Sequence, residues 1–138
     1  MLGEFFAARS DEIDETLVGS GPSERFTTVQ GKGLTEVSLS TLGEIMQVGT
    51  YDGLVERIAE GPQTENGEAG VLALPAEFRD ALASSEDVGS MAEQWTATDE
   101  LVADGWQTED ATAVLRELAK LARAARAADR DLWYWWSL

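Results

Sequence analysis

Apolar side chains recur at helical spacing along much of the chain, most clearly near its C-terminal end. From Thr108 to about Ala128 they return every three or four residues, which places them on one face of an α-helix. Glu109 and Asp110 fall in its first turn, where the positive end of the helix dipole favours acidic side chains. The same spacing predicts shorter helices at 10–18 (capped by Ser10), 35–46, 54–58, 75–82 and 85–103, the last with a break near Thr98.

Three segments carry bulky or β-branched apolar residues that favour strands, namely 2–8, 70–74 and 132–136. Residues 26–30 predict a further brief strand, whereas 61–68 is rich in turn residues and is predicted to be a mobile loop. We therefore predict an α+β fold in which residues 1–138 form one predominantly helical domain. Its small sheet has about three strands and includes the C-terminal strand.

Both faces of the predicted C-terminal strand are apolar. Period-two geometry places Tyr134 and Trp136 on one side and Trp133 and Trp135 on the other. Such a strand is either covered on both faces within one chain, or half-covered and available to pair with a second chain. Tryptophan is enriched at interface hot spots. The candidate partner or pocket surface is therefore Trp95, Trp106, Trp133, Trp135 and Trp136.

The chain is strongly acidic, with 26 Asp and Glu against 10 Lys and Arg and a formal net charge of −16. This charge repels nucleic acid phosphates and anionic membranes, so we expect neither as a partner. It favours a basic protein partner, and the C-terminal strand leaves a homodimer open as well. Adaptation to a salty cytoplasm is another explanation, and codon bias of a GC-rich bacterial genome is a third, because alanine is abundant and arginine outnumbers lysine.

The charges are segregated along the chain. Residues 86–110 contain eight acidic and no basic residues, whereas 116–130 contains five of the ten basic ones. Antiparallel packing of the last two long helices predicts ion pairs between these segments, each worth a fraction of a kcal/mol. The alternative is a basic stripe that faces a ligand or partner.

The chain contains neither cysteine nor histidine, which excludes thiolate nucleophiles, cysteine-ligated metals and the commonest general base. The acidic clusters lack the spacing of an EF-hand, and the glycine pairs at 19–21 and 31–33 complete no phosphate-binding motif. We predict no catalytic, cofactor-binding or metal-ligating residue. The first residues lack the pattern of a secretory signal and no long apolar stretch follows, so a cytoplasmic location is expected.

Three parts of the chain resemble the YfbM-like family of uncharacterised bacterial domains. They are the opening strand followed by Ser10-Asp11-Glu12-Ile13, the strand-then-helix step at 71–77, and the closing amphipathic helix with its apolar strand. The resemblance covers about half of the chain and implies a fold rather than an activity.

These features favour a non-enzymatic acidic interaction or accessory protein, of which an immunity- or antitoxin-like protein is a narrower form. The alternative is a small-ligand binder or carboxylate-dependent enzyme, with a pocket lined by Trp95, Trp106 and the C-terminal tryptophans.

Overall fold

The last strand of the chain is the central strand of the sheet. The computed structural model describes residues 2–138, and within them the chain forms five strands and seven α-helices. The strands are β1 (Leu2–Ala8), β2 (Thr28–Gln30), β3 (Ala59–Gln63), β4 (Ala69–Leu74) and β5 (Asp131–Ser137). The helices are α1 (Glu15–Ser20), α2 (Glu36–Ile45), α3 (Tyr51–Arg57), α4 (Ala76–Ala83), α5 (Val88–Thr96), α6 (Asp99–Ala103) and α7 (Thr108–Ala127). All strand pairs are antiparallel in the order β2-β1-β5-β4-β3, so β5 has a hydrogen-bonded neighbour along each edge.

The prediction of a sheet of about three strands is wrong, because the sheet has five. The three segments assigned to the predicted sheet are its adjacent central members β1, β5 and β4. The brief strand predicted at 26–30 is present as the edge strand β2, and β3 is the other edge strand, which was not predicted. The strand β3 was not predicted because it contains Gly61 and Pro62, which are typical of loops. Proline is tolerated in an edge strand, where its missing N–H can face away from the sheet. The register of β3 against β4 shifts between Glu60 and Gln63, as at a β-bulge.

The segment 61–68, predicted to be a mobile loop, is partly strand and partly a hydrogen-bonded hairpin turn. Its first three residues belong to β3. The Thr64 hydroxyl accepts hydrogen bonds from the backbone N–H groups of Glu68 at 3.1 Å and Ala69 at 3.2 Å. These bonds join the end of β3 to the start of β4, so the segment closes an ordered hairpin.

Local capping explains where the helices begin and end. The Asp14 carboxylate accepts a hydrogen bond from the N–H of Leu17 and starts α1, while Ser10, the predicted cap, lies in a short 3-10 turn. The predicted break near Thr98 is present, since Thr98 separates α5 from α6. None of the helices within residues 2–138 is both long and apolar enough to cross a membrane.

The sheet separates two hydrophobic cores. The larger core lies between the sheet and helices α2 and α4–α7, and β5 contributes Leu132 and Tyr134 to it. The smaller core lies on the other face beneath α1, and β5 contributes Trp133 and Trp135. The alternation predicted for β5 is therefore present, and both of its faces are covered by this chain.

Candidate functional site

Two of the candidate surface tryptophans lie inside the smaller core. The indole N–H of Trp133 donates a hydrogen bond to the carbonyl of Ala8 at 3.0 Å, and that of Trp135 donates to the carbonyl of Val18 at 2.8 Å. The two residues are only 7% and 5% exposed. Because their polar groups are satisfied internally, these rings serve the packing of α1 on the sheet.

The other three tryptophans lie on the opposite face, and two of them are in contact. Trp95 is fully buried and donates to the carbonyl of Ser38 at 3.0 Å. The ring of Trp106 is half-buried, with its centroid 6.0 Å from that of Trp95. Trp136 is half-buried against the larger core at the far end of β5, where it packs over Gly70. The five predicted residues thus form no common surface: Trp133 and Trp135 share the smaller core, and Trp106 contacts the buried Trp95 on the opposite face.

Trp106 lines a concave groove between two turns of the chain. This groove, here called the Trp106 groove, has a volume of about 680 Å³. One wall is the turn 31–33 between β2 and α2, and the other is the turn 104–106 between α6 and α7. Asp110 and Val114 complete it from the first turns of α7. An indole ring, two carboxylates, one lysine and two apolar side chains therefore line one concave surface.

Hydrogen bonds hold both walls of the Trp106 groove. The Tyr134 hydroxyl donates to the carbonyl of Gly31 at 2.6 Å and accepts from the N–H of Leu34 at 3.2 Å, which fixes the first turn from behind. Burial raises the pKa of Tyr134 well above its ordinary value, so this hydroxyl stays protonated and able to donate. In the second turn the backbone N–H of Trp106 donates a hydrogen bond to the carbonyl of Leu101 at 3.0 Å. The groove is accordingly a preformed feature of the fold.

The predicted ion pairs between 86–110 and 116–130 are not formed in the described part of the chain. Lys120 pairs within its own helix, while Arg123 and Arg126 donate hydrogen bonds to the C-terminal end of α4. The helices α5 and α7 do pack together, and the residues they bury in the shared core are apolar. The acidic segment therefore keeps a set of exposed carboxylates without cationic partners among residues 2–138.

Two further concave surfaces carry charge but differ in chemistry. A cleft of about 630 Å³ between α1 and the β3–β4 hairpin is lined by Glu15, Glu65 and Glu68, and it has no aromatic lining. A smaller groove of about 340 Å³ beside α7 is lined by Arg25 and Arg130. The Trp106 groove alone among the three combines carboxylates with tryptophan.

Asp14 is the one carboxyl group in residues 2–138 with a clearly shifted pKa, and it has a structural role. Its pKa is lowered first by the hydrogen bond from the Leu17 N–H and then by Arg25, whose guanidinium lies 2.9 Å away. Both interactions fix the start of α1 and the loop that covers the smaller core. This pKa shift therefore reflects helix capping.

Residues 2–138 contain no cluster of three or more side chains suited to hold a metal ion. Comparison of the chain with models of known protein families, with curated proteins and with solved structures gives no significant match. The resemblance to the YfbM-like family therefore stays a prediction.

Sequence reasoning identified Trp106 but not its neighbours in the groove. Lys32 lies about seventy residues before Asp104 and Asp110 in the sequence, and no local pattern joins the two segments. The available signals were the two glycine-containing turns at 31–33 and 104–106. A turn predicts a change of chain direction, whereas which turns face each other depends on the packing of α7 across the sheet.

Proposed function

We propose that this chain is a non-enzymatic interaction protein that binds a basic protein partner in the cytoplasm. The binding surface is the acidic face, defined as the carboxylates of residues 86–110 together with the Trp106 groove. Its carboxylates, all exposed except the half-buried Glu100, are Glu86, Asp87, Glu93, Asp99, Glu100, Asp104, Glu109 and Asp110. The observation that carries the proposal is that none of these eight is in an ion pair within residues 2–138, although α7 itself carries four basic residues.

Concentrated like charge destabilises the folded state through self-repulsion, and a basic partner would relieve that repulsion on binding. The same field steers a basic partner toward this side of the molecule and accelerates association. Val102, which is 64% exposed within the acidic segment, and half-buried Trp106 offer apolar contact area. Apolar contacts inside a charged rim are typical of protein interfaces.

The test compares two variants of equal net charge. The face variant carries Glu86→Gln, Glu93→Gln, Asp99→Asn and Glu109→Gln. The control variant neutralises four exposed acids elsewhere, Glu24→Gln, Asp52→Asn, Glu56→Gln and Glu60→Gln. The probe is a peptide of alternating arginine and serine, whose binding is measured by fluorescence anisotropy at several salt concentrations.

We expect the face variant to bind about tenfold more weakly, because four exposed ion pairs of about 0.3 kcal/mol each are lost. The control variant should bind nearly as well as the wild type, and affinity should fall as salt increases. Equal affinities of the two variants would mean that only net charge matters, and would overturn the proposal.

An immunity- or antitoxin-like role is a narrower form of this proposal, since such proteins neutralise basic toxins through charge complementarity. Neighbouring genes test it, because a locus without any toxin candidate would remove it. A second candidate function is small-ligand binding, which is favoured by the volume of the Trp106 groove. About 680 Å³ lies within the range of about 300–1,000 Å³ typical of ligand pockets.

A further inference from the structure

We propose that the Trp106 groove takes up an arginine side chain of the basic partner, held between the carboxylates of Asp104 and Asp110 and the indole ring of Trp106. This inference rests on the proposed function and deepens it. It names the part of the acidic face that selects the partner and the side chain that the partner must supply.

The lining of the groove matches the chemistry of a guanidinium group. Asp104 and Asp110 are both exposed carboxylates, and they line the same concave surface as the ring of Trp106. A guanidinium is planar, stacks on an aromatic face and can donate two hydrogen bonds to one carboxylate. Ala113 and Val114 provide apolar surface for the methylene groups of the arginine stem. An ammonium group lacks the planar geometry, so lysine should bind more weakly.

The position of Trp106 is fixed before a ligand arrives. Its ring contacts the fully buried Trp95, and its backbone N–H donates a hydrogen bond to the carbonyl of Leu101. The opposite wall is fixed by the Tyr134 hydroxyl through Gly31. Because neither wall has to be ordered on binding, the entropic cost of forming the contact is low.

The other acidic cleft is a weaker candidate for the same side chain. It carries Glu15, Glu65 and Glu68, but no aromatic ring lines it. It could attract a cation by charge alone, without distinguishing arginine from lysine. The proposal therefore predicts a preference for arginine at the Trp106 groove and none at this cleft.

Lys32 is the intramolecular competitor for the groove. It is exposed in the turn 31–33, lines the groove and makes no ion pair within residues 2–138. Its ammonium group is attracted by the same two carboxylates that would hold the ligand. Removing this charge in Lys32→Met should tighten the binding of an arginine peptide by about twofold to fivefold.

The test uses three peptides that differ only in the basic position: arginine–serine, lysine–serine and citrulline–serine repeats. Citrulline has the shape of arginine without its charge. The readouts are anisotropy and the NMR resonance of the Trp106 indole N–H, assigned by its absence in Trp106→Leu. We expect the arginine peptide to shift this resonance, the lysine peptide to bind more weakly and the citrulline peptide not to bind.

Substitutions separate the groove from the rest of the acidic face. Trp106→Leu should weaken the arginine peptide about threefold to tenfold through loss of the cation–π contact. Asp104→Asn with Asp110→Asn should weaken it by about fivefold to twentyfold, and these exposed substitutions keep the test valid if Trp106→Leu disturbs folding. The matched control is Glu86→Gln with Glu93→Gln, which should have a smaller effect.

The outcomes distinguish the two proposals. An unmoved Trp106 resonance, equal binding of arginine and lysine peptides, or no effect of the Asp104 and Asp110 substitutions would overturn the groove proposal. If the four-acid face variant still lost binding, the proposed function would stand and only the arginine site would fail. If neither the face variant nor the groove variants differed from the charge-matched controls, both proposals would fail.

Discussion

Removing one hydroxyl group, in Tyr134→Phe, should destabilise the whole fold. The hydroxyl oxygen bonds the carbonyl of Gly31 at 2.6 Å and the N–H of Leu34 at 3.2 Å, and all three residues are buried. Phenylalanine leaves a buried acceptor and a buried donor without partners, each at about 1–3 kcal/mol. Since the substitution also removes the desolvation cost of the hydroxyl, we expect a net loss of about 2 kcal/mol. Domains of this kind are stable by about 5–15 kcal/mol, so the loss is a large fraction.

Urea unfolding followed by tryptophan fluorescence measures this loss. The transition midpoint of Tyr134→Phe should move to lower urea with little change in slope, because the surface exposed on unfolding is nearly unchanged. Tyr51→Phe is the matched control, since the Tyr51 hydroxyl makes no hydrogen bond within residues 2–138. That control should stay within about 0.5 kcal/mol of the wild type. Equal effects of the two substitutions would refute the structural role assigned to Tyr134.

A substitution on the neighbouring strand checks the geometry independently. A Cβ atom added at Gly3 would overlap the Tyr134 hydroxyl oxygen and lie 2.7 Å from the carbonyl oxygen of Gly31. Gly3→Ala should therefore destabilise the protein more than Tyr134→Phe does. In the double variant the hydroxyl oxygen is gone, so the combined loss should be smaller than the sum of the two. Strict additivity would show that Gly3 and Tyr134 are not in contact.

Further predictions follow from the pKa shifts and the hairpin. The pKa of Tyr134 is raised in the folded state from its ordinary 10.0, so the free energy of unfolding should begin to fall as pH rises above about 10. The fall should be less steep in Tyr134→Phe, and denaturation at a series of pH values measures the difference. The pKa of Asp14 is lowered in the folded state, so ionised Asp14 stabilises the fold above its unfolded pKa of 3.8, and this stabilisation is lost as pH falls through the folded pKa. Asp14→Asn should therefore destabilise the protein at neutral pH and make its stability depend less on pH in the acid range, as the same denaturation series measures. Thr64→Val should lower the free energy of unfolding by about 1 kcal/mol, because the Thr64 hydroxyl accepts a hydrogen bond from the N–H of Ala69. Hydrogen exchange at that N–H should become faster, and unchanged exchange would contradict the description of the hairpin turn.

The central strands could be predicted from sequence because their apolar residues are consecutive or bulky. Each of β1, β4 and β5 contributes side chains to the cores on both faces of the sheet, and such burial requires consecutive apolar residues. The edge strands carry no such requirement. β2 has only three residues, and β3 contains Gly61 and Pro62, so its local pattern resembles a loop although it pairs with β4. The count of about three strands therefore left out both edge strands, although the sequence indicated a brief strand at 26–30, where β2 lies.

Local alternation placed the side chains of β5 on the correct faces but could not tell what covers them. Coverage of Trp135 depends on α1, more than one hundred residues earlier, whose Val18 carbonyl accepts the indole hydrogen bond. The expected ion pairs failed for a related reason. Sequence gives the charges of two neighbouring helices, but rotation of each helix is set by its buried face. Trp95 of α5 and Leu118 of α7 are both buried in the larger core, and within residues 2–138 no ion pair joins 86–110 to 116–130.

Mapping the binding surface of the arginine–serine peptide by NMR tests the central claim most directly. The peptide would be titrated into labelled full-length protein while the backbone amide resonances and the Trp106 indole resonance are followed. We predict that the largest resonance shifts come from residues 99–110 and from the turn 31–33. These shifts should all saturate at the same peptide concentration, as expected for a single binding site. Shifts of equal size over all acidic parts of the surface, or shifts centred on the cleft between α1 and the β3–β4 hairpin, would contradict the assignment of the acidic face as the binding surface.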